Sequence, residues 1–367
     1  MALWNFLVAY FGKAKGGDIL FVSGGIAGDS ALYRMAHYSE ELRANGFSCS
    51  TTVQDNRHLL GYAEKFKIFI LHRVLFDEKI SEFVRKIKEN KGEIIFETDD
   101  LVFDSNYLHE ADFFKNLNFL EKKLYENGVG GEILRDDYVK ICTTTTTFLA
   151  EKLREFNKKV FIVKNKLSKS DVEIANKIIK LKVHKVHKVI KLGYFSGTAS
   201  HNKDFASIVD ALLEIMEKYP QVELFLAGPL DIENKLNEFK ERIKQIPYVP
   251  RNKHFENVSK VDINLAPLEV GNPFCESKSE LKFFEAGIVG VPTVASATQT
   301  FKEAISDGFD GFVASDTDEW INKLERLILS PELCCKMGAE ARKKALDHYS
   351  TQTAKNEEFY GYLKSRL

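Results

Sequence analysis

The stretch Asn272–Ser296, NPFCESKSELKFFEAGIVGVPTVAS, decides how the rest of the chain is interpreted. It predicts a helix over 279–288 and a strand over 291–296. Three charged side chains share one stripe of this helix, at i, i+4 and i+7: Lys278, Lys282 and Glu285. Three apolar side chains form the neighbouring stripe: Leu281, Phe284 and Ile288. A helix that is apolar on most sides is buried, so its charged stripe needs partners or a ligand.

The charged stripe has two interpretations. Positive charge at the start of a helix suits a diphosphate, because free N–H groups and the helix dipole both attract an anion. A carboxylate further along the same stripe, Glu285, can accept hydrogen bonds from two ribose hydroxyls. The alternative is a surface ion pair between Lys282 and Glu285, which contributes little to stability. Spacing alone leaves both interpretations open.

Strands and helices alternate on both sides of this stretch. In the second half, strands are predicted over 189–195, 222–227 and 261–266, with a polar loop at 196–203 and a helix over 205–216. In the first half, strands are predicted over 18–23, 47–53, 66–72, 93–96, 138–147 and 160–163, with a helix over 30–45. A glycine-rich turn, residues 24–28, follows the first of them. This alternation predicts parallel βαβ units.

The chain is long enough for two domains, since its 367 residues exceed what one hydrophobic core usually supports. A polar, lysine-rich stretch at 165–191 is predicted to be a solvated connection, and its two histidines, His184 and His187, lack a third nearby metal ligand. The predicted division is 1–188, joined by a returning helix at 350–367, and 189–349. Helices over 331–348 and 352–365 close the chain.

Composition excludes several classes of protein. The formal net charge of −1 gives no general attraction to nucleic acid. Five cysteines without a CxxC spacing argue against a disulfide framework or a zinc site and favour a reducing, cytoplasmic location. No apolar run is long enough to span a membrane. Residues 1–15 begin with an apolar, aromatic segment followed by two lysines, which is compatible with peripheral contact with a membrane surface or with packing on the first domain.

The segment KSELKFFEAGIVGVPTVAS resembles a signature of the retaining glycosyltransferases of the GT-B fold, in the large family 4 group. The resemblance implies two Rossmann-like domains whose parallel sheets face a central cleft, with a C-terminal helix that crosses back. Glu285 matches the second glutamate of the signature, which holds the nucleotide ribose. Ser277 stands where the first glutamate would be, as in a subset that reads KS-x-x-K-x-x-E and acts in bacterial surface-polysaccharide synthesis.

The resemblance also assigns site residues. LGYFSGTASHNKDF is similar to the first strand and loop of the donor domain, and IIFETDDLVFD to a strand end that faces donor and acceptor. Donor binding is expected from Gly25, Gly28, Gly197, Thr198, Lys203, Lys278, Ser279, Lys282 and Glu285. Catalytic roles are expected for Asp99, Asp100, Lys203 and Lys282. The acceptor side is expected to include His72, Glu97, Tyr33 and Arg34. For the carboxylates Glu97, Asp99 and Asp100, helix capping or a salt bridge to Arg135 or Lys140 is the alternative.

The resemblance implies transfer of a hexose or deoxyhexose from a nucleotide sugar to a glycan or polyprenyl-linked acceptor, with retention and without a metal or cofactor. Three alternatives remain. Glu97-Thr98-Asp99 resembles the metal-binding Asp-x-Asp of GT-A enzymes, although these need one Rossmann-like domain rather than two. A sugar-nucleotide epimerase shares the GT-B fold. A module that binds sugar nucleotides without catalysis would also fit, because the first glutamate and an expected arginine near Gly197 are missing.

Overall fold

The computed structural model describes residues 11–25, 28–108, 118, 122, 125–181, 189–197, 202–231 and 234–367. The chain divides into two compact units. The first unit comprises Met1–Lys166, Ser277–Ser279 and Lys355–Leu367, and the second comprises Leu167–Glu276 and Glu280–Ala354. Each unit is built on one parallel six-stranded sheet with helices, so the predicted α/β class is confirmed. Among the described residues, no helix is both long and apolar enough to cross a membrane.

The first sheet has the strand order β2-β1-β3-β4-β5-β6. Its strands are β1 Ile19–Ser23, β2 Cys49–Val53, β3 Ile68–His72, β4 Glu93–Glu97, β5 Ile141–Thr144 and β6 Lys159–Ile162. All neighbouring pairs are parallel, and Ile19 pairs with both Cys49 and Ile68. Chain order therefore reverses direction between β1 and β3, which makes the crevice at their carboxyl ends the expected binding position.

The second sheet has the order β12-β11-β10-β7-β8-β9. Its strands are β7 Ile190–Phe195, β8 Val222–Ala227, β9 Ile243–Ile246, β10 Ile263–Ala266, β11 Thr293–Ser296 and β12 Phe312–Ala314. Counted from β7, this is the 3-2-1-4-5-6 order of dinucleotide-binding sheets, with its reversal between β7 and β10. The ends of those two strands frame the expected ligand position in this unit.

The helices follow the alternation that the sequence predicts. In the first unit they are α1 Gly28–Ala31, a π-helical segment Leu32–His37, α2 Tyr38–Ala44, α3 Glu78–Glu89, α4 Ser105–Leu108, α5 Gly131–Arg135 and α6 Thr147–Arg154, with 3-10 turns at Leu59–Tyr62 and Leu101–Phe103. In the second unit they are α7 Lys169–Leu181, α8 Asn202–Ala206, α9 Val209–Lys218, the 3-10 segment Asn234–Arg242, α10 Arg251–Val258, α11 Pro273–Glu276, α12 Leu281–Ile288, α13 Gln299–Ala304, α14 Thr317–Leu329 and α15 Pro331–His348.

The last helix, α16 Glu357–Lys364, belongs to the first unit. Its apolar face, Phe359, Tyr360 and Leu363, is buried in the same core as β1 and β3. Phe359 lies 5.1 Å from Phe161 between ring centroids. The buried carboxylate of Glu41 accepts a hydrogen bond from the Tyr360 hydroxyl and forms an ion pair with Lys166 Nζ at 2.5 Å.

The division between the units differs from the predicted one at 188 and 349. The stretch at 165–191 was expected to be solvated, but it contains helix α7, which belongs to the second unit. Arg342 Nη2 donates to Asn176 Oδ1 at 2.6 Å, and Leu167 N donates to Tyr349 O at 2.7 Å. The lysines of α7 make its composition polar, and for this reason the sequence did not indicate that Asp171 and Ala175 are buried. His184 and His187 lie outside the described residues.

Three predicted helices have different limits. The helix expected over 279–288 begins at Leu281, so Lys278 precedes it and does not share a helical stripe with Lys282 and Glu285. The helix expected over 30–45 contains the π-helical segment, which shifts its buried face by one residue. The helix expected over 205–216 is interrupted between α8 and α9.

One glycine at each sheet edge is required by a close backbone approach. A Cβ on Gly24 would lie 1.9 Å from the carbonyl oxygen of Arg73, and a Cβ on Gly228 would lie 1.9 Å from that of Ser196. Gly228 also has a φ of 98°, which other residues rarely adopt. The first loops of both sheets are thereby packed directly against a neighbouring strand end.

Gly228→Ala is expected to destabilise the second unit by about 3 kcal/mol or more, because the clash adds to the cost of a positive φ. Gly271→Ala is the matched control, since Gly271 has a φ of 83° but no atom near its would-be Cβ. The control is expected to cost about 1–2 kcal/mol. Hydrogen exchange of the β8 amides measures both values. Equal losses in the two variants would contradict the close-approach argument.

Candidate functional site

The crevice beside β1 and β3 collects polar side chains from three strand ends. Glu97 ends β4 and is fully buried. Arg34 Nε donates to Glu97 Oε1 at 2.7 Å, and the Thr143 hydroxyl donates to Glu97 Oε2. Burial raises the pKa of Glu97, while the charge and hydrogen bond of Arg34 oppose that shift. Because neither Arg34 nor Glu97 is exposed, the pair supports the crevice from below.

Arg34 is held in place by more than its carboxylate. It also donates to Val163 O at 2.7 Å and to Asn165 Oδ1 at 3.1 Å, and its guanidinium lies 5.0 Å from the centroid of the Tyr38 ring. The neighbouring Tyr33, also predicted for the acceptor side, is buried with its ring edge-on to His37 at 4.9 Å. Tyr33 and Arg34 therefore act as part of the interior rather than as surface groups.

Asp99 lies above this pair and is only one-tenth exposed. It accepts hydrogen bonds from Arg73 Nε at 2.6 Å and from the Ser30 hydroxyl at 2.7 Å. Despite its burial, which by itself would raise the pKa, the charges of Arg73 and Arg34 and the hydrogen bond from Ser30 hold the pKa of Asp99 well below its usual range. Asp99 is thus a fixed anion and a weak base.

Arg73 is positioned by an unusual backbone conformation. Its φ of 45° is positive, which is uncommon outside glycine, and its carbonyl oxygen is the one that Gly24 approaches. The side chain contacts Asp99, and its Nη2 also lies 3.4 Å from Asp100 Oδ2. Strained residues of this kind concentrate at functional sites.

His72, at the end of β3, is buried and neutral. Burial lowers its pKa to about 3, although the charge of Asp99 acts in the opposite direction. The Ser30 hydroxyl donates its proton to Asp99, so His72 Nε2, 3.0 Å from Ser30 Oγ, donates to that oxygen. Nδ1 then carries the lone pair, and it lies 3.9 Å from Glu97 Oε1.

Asp100 is the most accessible of the three carboxylates, with about a quarter of its side chain exposed. Its Oδ1 accepts from Leu101 N at 2.8 Å and caps the short turn that follows. Within the first unit, the Ser277 hydroxyl also donates to Asp100 Oδ1 at 3.4 Å. Helix capping, the alternative weighed for these acids, therefore applies to Asp100. The salt bridges proposed with Arg135 or Lys140 are replaced by that with Arg73.

The remaining predicted donor-site residues of the first unit lie in two places. Gly25 follows β1, its amide donates to Ser23 Oγ at 3.3 Å, and a Cβ added to it would meet no atom within 4 Å. Gly28 begins α1. Lys278 and Ser279 group with the first unit, and Asn165 Nδ2 donates to Ser279 Oγ at 2.9 Å. Ser279 precedes α12, so its amide does not belong to the first helical turn.

In the second unit, Lys282 points to the end of the first strand of the sheet. Its ammonium donates to the carbonyl oxygen of Phe195, the last residue of β7, and lies 4.9 Å from the centroid of the Tyr194 ring. The exposed Gly197 lies two residues after Phe195. Lys282 therefore lies at the end of the strand that leads into Gly197.

Glu285 lies one turn further along α12 and is held by two basic side chains. Arg251 Nη1 donates to Glu285 Oε1 at 2.9 Å, and His254 Nε2 lies 3.3 Å from Oε2. Arg251 also binds Asp171 with two nitrogens, at 2.6 and 3.0 Å. The expected pair of Lys282 with Glu285 is replaced by this network, which joins α7, α10 and α12.

Lys203 and the acidic residues near Ser277 differ in their surroundings. Lys203 is exposed on α8, and Thr198 lies outside the described residues. Glu276 accepts from Gly271 N and Gln299 N, and Glu280 accepts from Tyr349, so both glutamates near Ser277 hold local structure.

Among the described residues, one group has ligand atoms close enough for a metal, within 4.8 Å: Asp204, Glu269 and Cys275. The Cys275 thiol donates to Asp204 Oδ1 at 3.2 Å, which accounts for their contact without a cation.

Comparison with known proteins decides the nature of the second unit. Residues 190–330 match the family model described as Glycosyl transferases group 1. This part of the chain is a glycosyl transferases group 1 domain. It contains Lys203, Lys282, Glu285 and Arg251, so the network around Glu285 lies inside the matched region. EpsD of Bacillus subtilis (strain 168), which carries the name of a glycosyltransferase, is 27% identical over 154 residues, 41% of this chain and 40% of EpsD.

Solved structures extend the likeness to both units. Anabaena Alr3699/HepE in complex with UDP has a TM-score of 0.62 at 13% identity, over 95% of this chain and all of that one. A glycosyltransferase from Rickettsia africae has a TM-score of 0.63 at 14% identity, over 96% and 99% of the chains. Sucrose-phosphate synthase from Thermosynechococcus elongatus has a TM-score of 0.61 at 12% identity, over 95% and 99%. At these identities the likeness establishes a GT-B-like fold.

Sequence reasoning missed several residues that hold the candidate site. None of the following was predicted as a site residue: Ser30, Arg73, Asp171, Arg251 and His254. Arg73 directly follows His72, so its place at the end of a predicted strand was a usable signal. Arg251 and His254 are three residues apart on one helix face of the glycosyl transferases group 1 domain, but nothing local indicates that the face meets Glu285.

The imidazole signal of His72 is expected to stay constant between pH 8 and pH 5, because its pKa is lowered to about 3. NMR of histidine-labelled protein, with His72→Asn for assignment, measures this. In the urea-unfolded chain the same signal should titrate near pH 6.5. A midpoint above pH 5 in the folded protein would contradict the burial argument.

The lowered pKa also fixes a direction for stability. Above about pH 6.5 neither the folded nor the unfolded chain protonates this residue, and the folded state has its full stability. Below that pH the unfolded chain binds a proton that folded His72 does not. The free energy of unfolding of the first unit is therefore expected to fall as the pH drops from about 6.5 toward 3, less steeply in His72→Asn.

Proposed function

We propose that the protein transfers a hexose or deoxyhexose from a nucleoside diphosphate sugar to a hydroxyl of a glycan or polyprenyl-linked acceptor, with retention and without a metal. The observation that carries the proposal is the pair of anchored groups on α12. Lys282 lies at the carboxyl end of β7, and Glu285 is fixed by Arg251 and His254. Both lie in the glycosyl transferases group 1 domain.

Each donor group has a distinct task. In the reaction, the bond between sugar C1 and a phosphate oxygen breaks and the nucleoside diphosphate leaves, so negative charge grows on that oxygen. Lys282, with Lys203 and the Gly197 loop, would stabilise this charge with groups that are already in place. Glu285 would accept hydrogen bonds from the ribose. Because Anabaena HepE has been solved with UDP and with UDP-glucose, a uridine nucleotide is the first donor to test.

The carboxylates of the first unit are assigned to the acceptor. Asp99 is ion-paired with Arg73 and has a lowered pKa, so it suits orientation of a hydroxyl rather than removal of its proton. Asp100 is more exposed and keeps its weaker contact with Arg73, at 3.4 Å. Asp100 is therefore assigned to the acceptor hydroxyl, and Asp99 to holding Arg73 and Ser30. His72 and Glu97 support this arrangement from the interior.

The acceptor class suggests a cellular setting. A polyprenyl-linked acceptor lies in a membrane, so the enzyme would work in the cytoplasm at the inner face of the cytoplasmic membrane, in synthesis of a bacterial surface polysaccharide such as O-antigen or capsule. Residues 1–15 are the segment proposed to contact that membrane.

The first experiment is isothermal titration with UDP-, GDP- and dTDP-sugars, followed by transfer to an acceptor. Product with the sugar joined to the acceptor supports a transferase. Release of free epimerised sugar without an acceptor would indicate the epimerase instead. Tight binding with no turnover of any kind would indicate a binding module. Activity abolished by a chelator would contradict the metal-free proposal.

Glu285→Gln is expected to weaken nucleotide binding about tenfold or more, because a charge-assisted hydrogen bond is replaced by a neutral one. Arg251 keeps both contacts with Asp171, so the fold is preserved. Glu217→Gln, an exposed position on α9, is the matched control. Isothermal titration with the nucleoside diphosphate measures both. Unchanged affinity in Glu285→Gln would remove this residue from the donor site.

Lys282→Met is expected to reduce kcat about 10²-fold, since one preorganised positive group on the leaving phosphate is lost. The exposed Lys302→Met on α13 is the control for removal of a lysine from the same unit. Steady-state transfer assays provide the measurement. A normal kcat in Lys282→Met would show that the leaving charge is stabilised elsewhere.

Asp100→Asn is expected to lower transfer to the acceptor by about 10²-fold or more while donor binding stays unchanged. Asp104→Asn is a control for the same change four residues further on, at a buried carboxylate that accepts from Asn106 N. The assay compares acceptor-dependent transfer with nucleotide affinity in each variant. Loss of donor binding in Asp100→Asn would contradict its assignment to the acceptor.

A further inference from the structure

The three residues Ser277–Ser279 belong to the first unit, although the residues on both sides of them belong to the second. Both ends of this segment are held in the first unit. The Ser277 hydroxyl donates to Asp100 Oδ1 at 3.4 Å, and Asn165 Nδ2 donates to Ser279 Oγ at 2.9 Å. Two residues span at most about 7 Å of chain, so Lys278 and Ser279 lie close to Asp100.

Asn165 fixes the direction of the hydrogen bond to Ser279. It is 4% exposed, and its Oδ1 accepts from Arg34 Nη1 at 3.1 Å. The arginine side chain has only donors, so the amide oxygen faces Arg34 and the amide nitrogen faces Ser279. The Ser279 oxygen therefore accepts, and its own proton is left to donate to another group. Because Arg34 is charged, it polarises the amide and makes the Ser279 hydroxyl a stronger donor.

Lys278 and Ser279 form a pair of donors that no described residue uses. Within the part of the chain that the structure describes, the Ser279 proton meets no acceptor, and the Lys278 ammonium has neither an ion pair nor a hydrogen bond. Lys278 is nevertheless half-buried. The nearby carboxylates, Asp99 and Asp100, are paired with Arg73 instead. A cation and an oriented hydroxyl on adjacent residues are suited to two oxygens of one anion.

The position of this donor pair indicates which anion it binds. In the proposed reaction, Lys282 and Lys203 of the second unit stabilise the phosphates of the nucleotide sugar. The donor pair instead belongs to the first unit, beside Asp100, which is assigned to the accepting hydroxyl. Ser279 also precedes α12, so the amides of the first helical turn do not extend the pair. The anion is therefore part of the acceptor and lies close to the sugar that reacts.

We propose that Lys278 and Ser279 bind a phosphate of the acceptor, so that the accepting sugar is joined directly to that phosphate. Asn165 is a positioning residue, because it acts through the Ser279 hydroxyl. This inference rests on the proposed function and narrows its acceptor from any glycan or polyprenyl-linked sugar to a sugar phosphate.

Binding of a sugar phosphate tests the inference without turnover. The full chain, with UDP present to fill the donor phosphate position, is titrated calorimetrically with glucose 1-phosphate and with methyl glucoside. The wild type is expected to bind the phosphate ester about tenfold or more tightly than the neutral glucoside. Lys278→Met should lose most of this preference and Ser279→Ala about fivefold of it, whereas Ser279→Thr keeps the hydroxyl and should retain it.

Asn165→Ala separates positioning from a structural role. Without the amide the Ser279 hydroxyl is no longer oriented, so the preference for the phosphate ester should fall about as far as in Ser279→Ala. The affinity for methyl glucoside and for UDP should stay unchanged. An equal loss for all three ligands would show that Asn165 supports only the fold and would contradict its positioning role.

Lys140→Met is the matched control, because Lys140 is an exposed lysine of the first unit that precedes β5 and so lies at the opposite end of the strands from Asp100. It should keep the full preference. The proposal is overturned if the wild type does not prefer the phosphate ester or if Lys140→Met loses as much as Lys278→Met. It is also overturned if Lys278→Met weakens UDP binding as strongly as phosphate binding, since the pair would then serve the donor.

The same titrations in Lys282→Met, without UDP, keep this inference separate from the proposed function. If UDP does not bind the wild type, the donor assignment fails. The preference for glucose 1-phosphate in Lys282→Met, compared with Lys282→Met that also carries Lys278→Met, still decides whether Lys278 binds a sugar phosphate.

Discussion

The burial of one negative charge governs the first unit. Glu97 has no exposure at the end of a central strand, and a carboxylate is tolerated there because Arg34 is buried against it. Removing one partner of such a pair typically costs about 3–5 kcal/mol, since the other charge remains without compensation. Arg34 also donates to Val163 O and to Asn165 Oδ1. One guanidinium therefore joins the π-helical segment Leu32–His37, β4 and the residues that follow β6. Asp99 and Asp100 project from this rigid base.

The second unit solves a similar problem with a different residue. Arg251 divides its guanidinium between Asp171, which is nearly buried, and Glu285, which is more exposed. The buried partner secures the arginine, and the arginine then orients the outer carboxylate. A ligand that bonded Glu285 would meet a group that has already lost much of its conformational freedom, so less entropy would be lost on binding. His254 Nε2 lies 3.3 Å from the other oxygen of the same carboxylate.

Much of the fold followed from the sequence because periodicity reports burial directly. The strand pattern predicted both sheets, and the returning helix α16 was recognised from the resemblance. Helix α7 was missed because its exposed lysines dominate its composition, while its buried contacts involve Asp171 and Asn176, which carry no apolar signal. The start of α12 was placed too early because Ser279 looks like a helix residue, whereas Glu280 is the N-cap.

Site residues that directly follow a strand could be predicted from the sequence. Site residues that are positioned by distant parts of the chain were harder to predict. Asp99 and Asp100 follow β4, a strand that the apolar pattern of the sequence predicts. Arg73 has a positive φ, a backbone conformation that a sequence indicates only where the residue is glycine. Arg251 meets Glu285 across 34 positions of sequence, so only the packing of two helices brings them together. Pairings of that kind are fixed by tertiary structure and leave no local trace.

The assignment of Ser277–Ser279 to the first unit has a practical consequence for dissection of the molecule. The polypeptide passes from one unit to the other four times, after Lys166, Glu276, Ser279 and Ala354. No single truncation can therefore release either half with all its parts. A fragment that stops at Lys166 would lack α16, whose Phe359 and Leu363 complete its core. Expression of an isolated half would require the closing helix to be supplied separately or joined to it by a new linker.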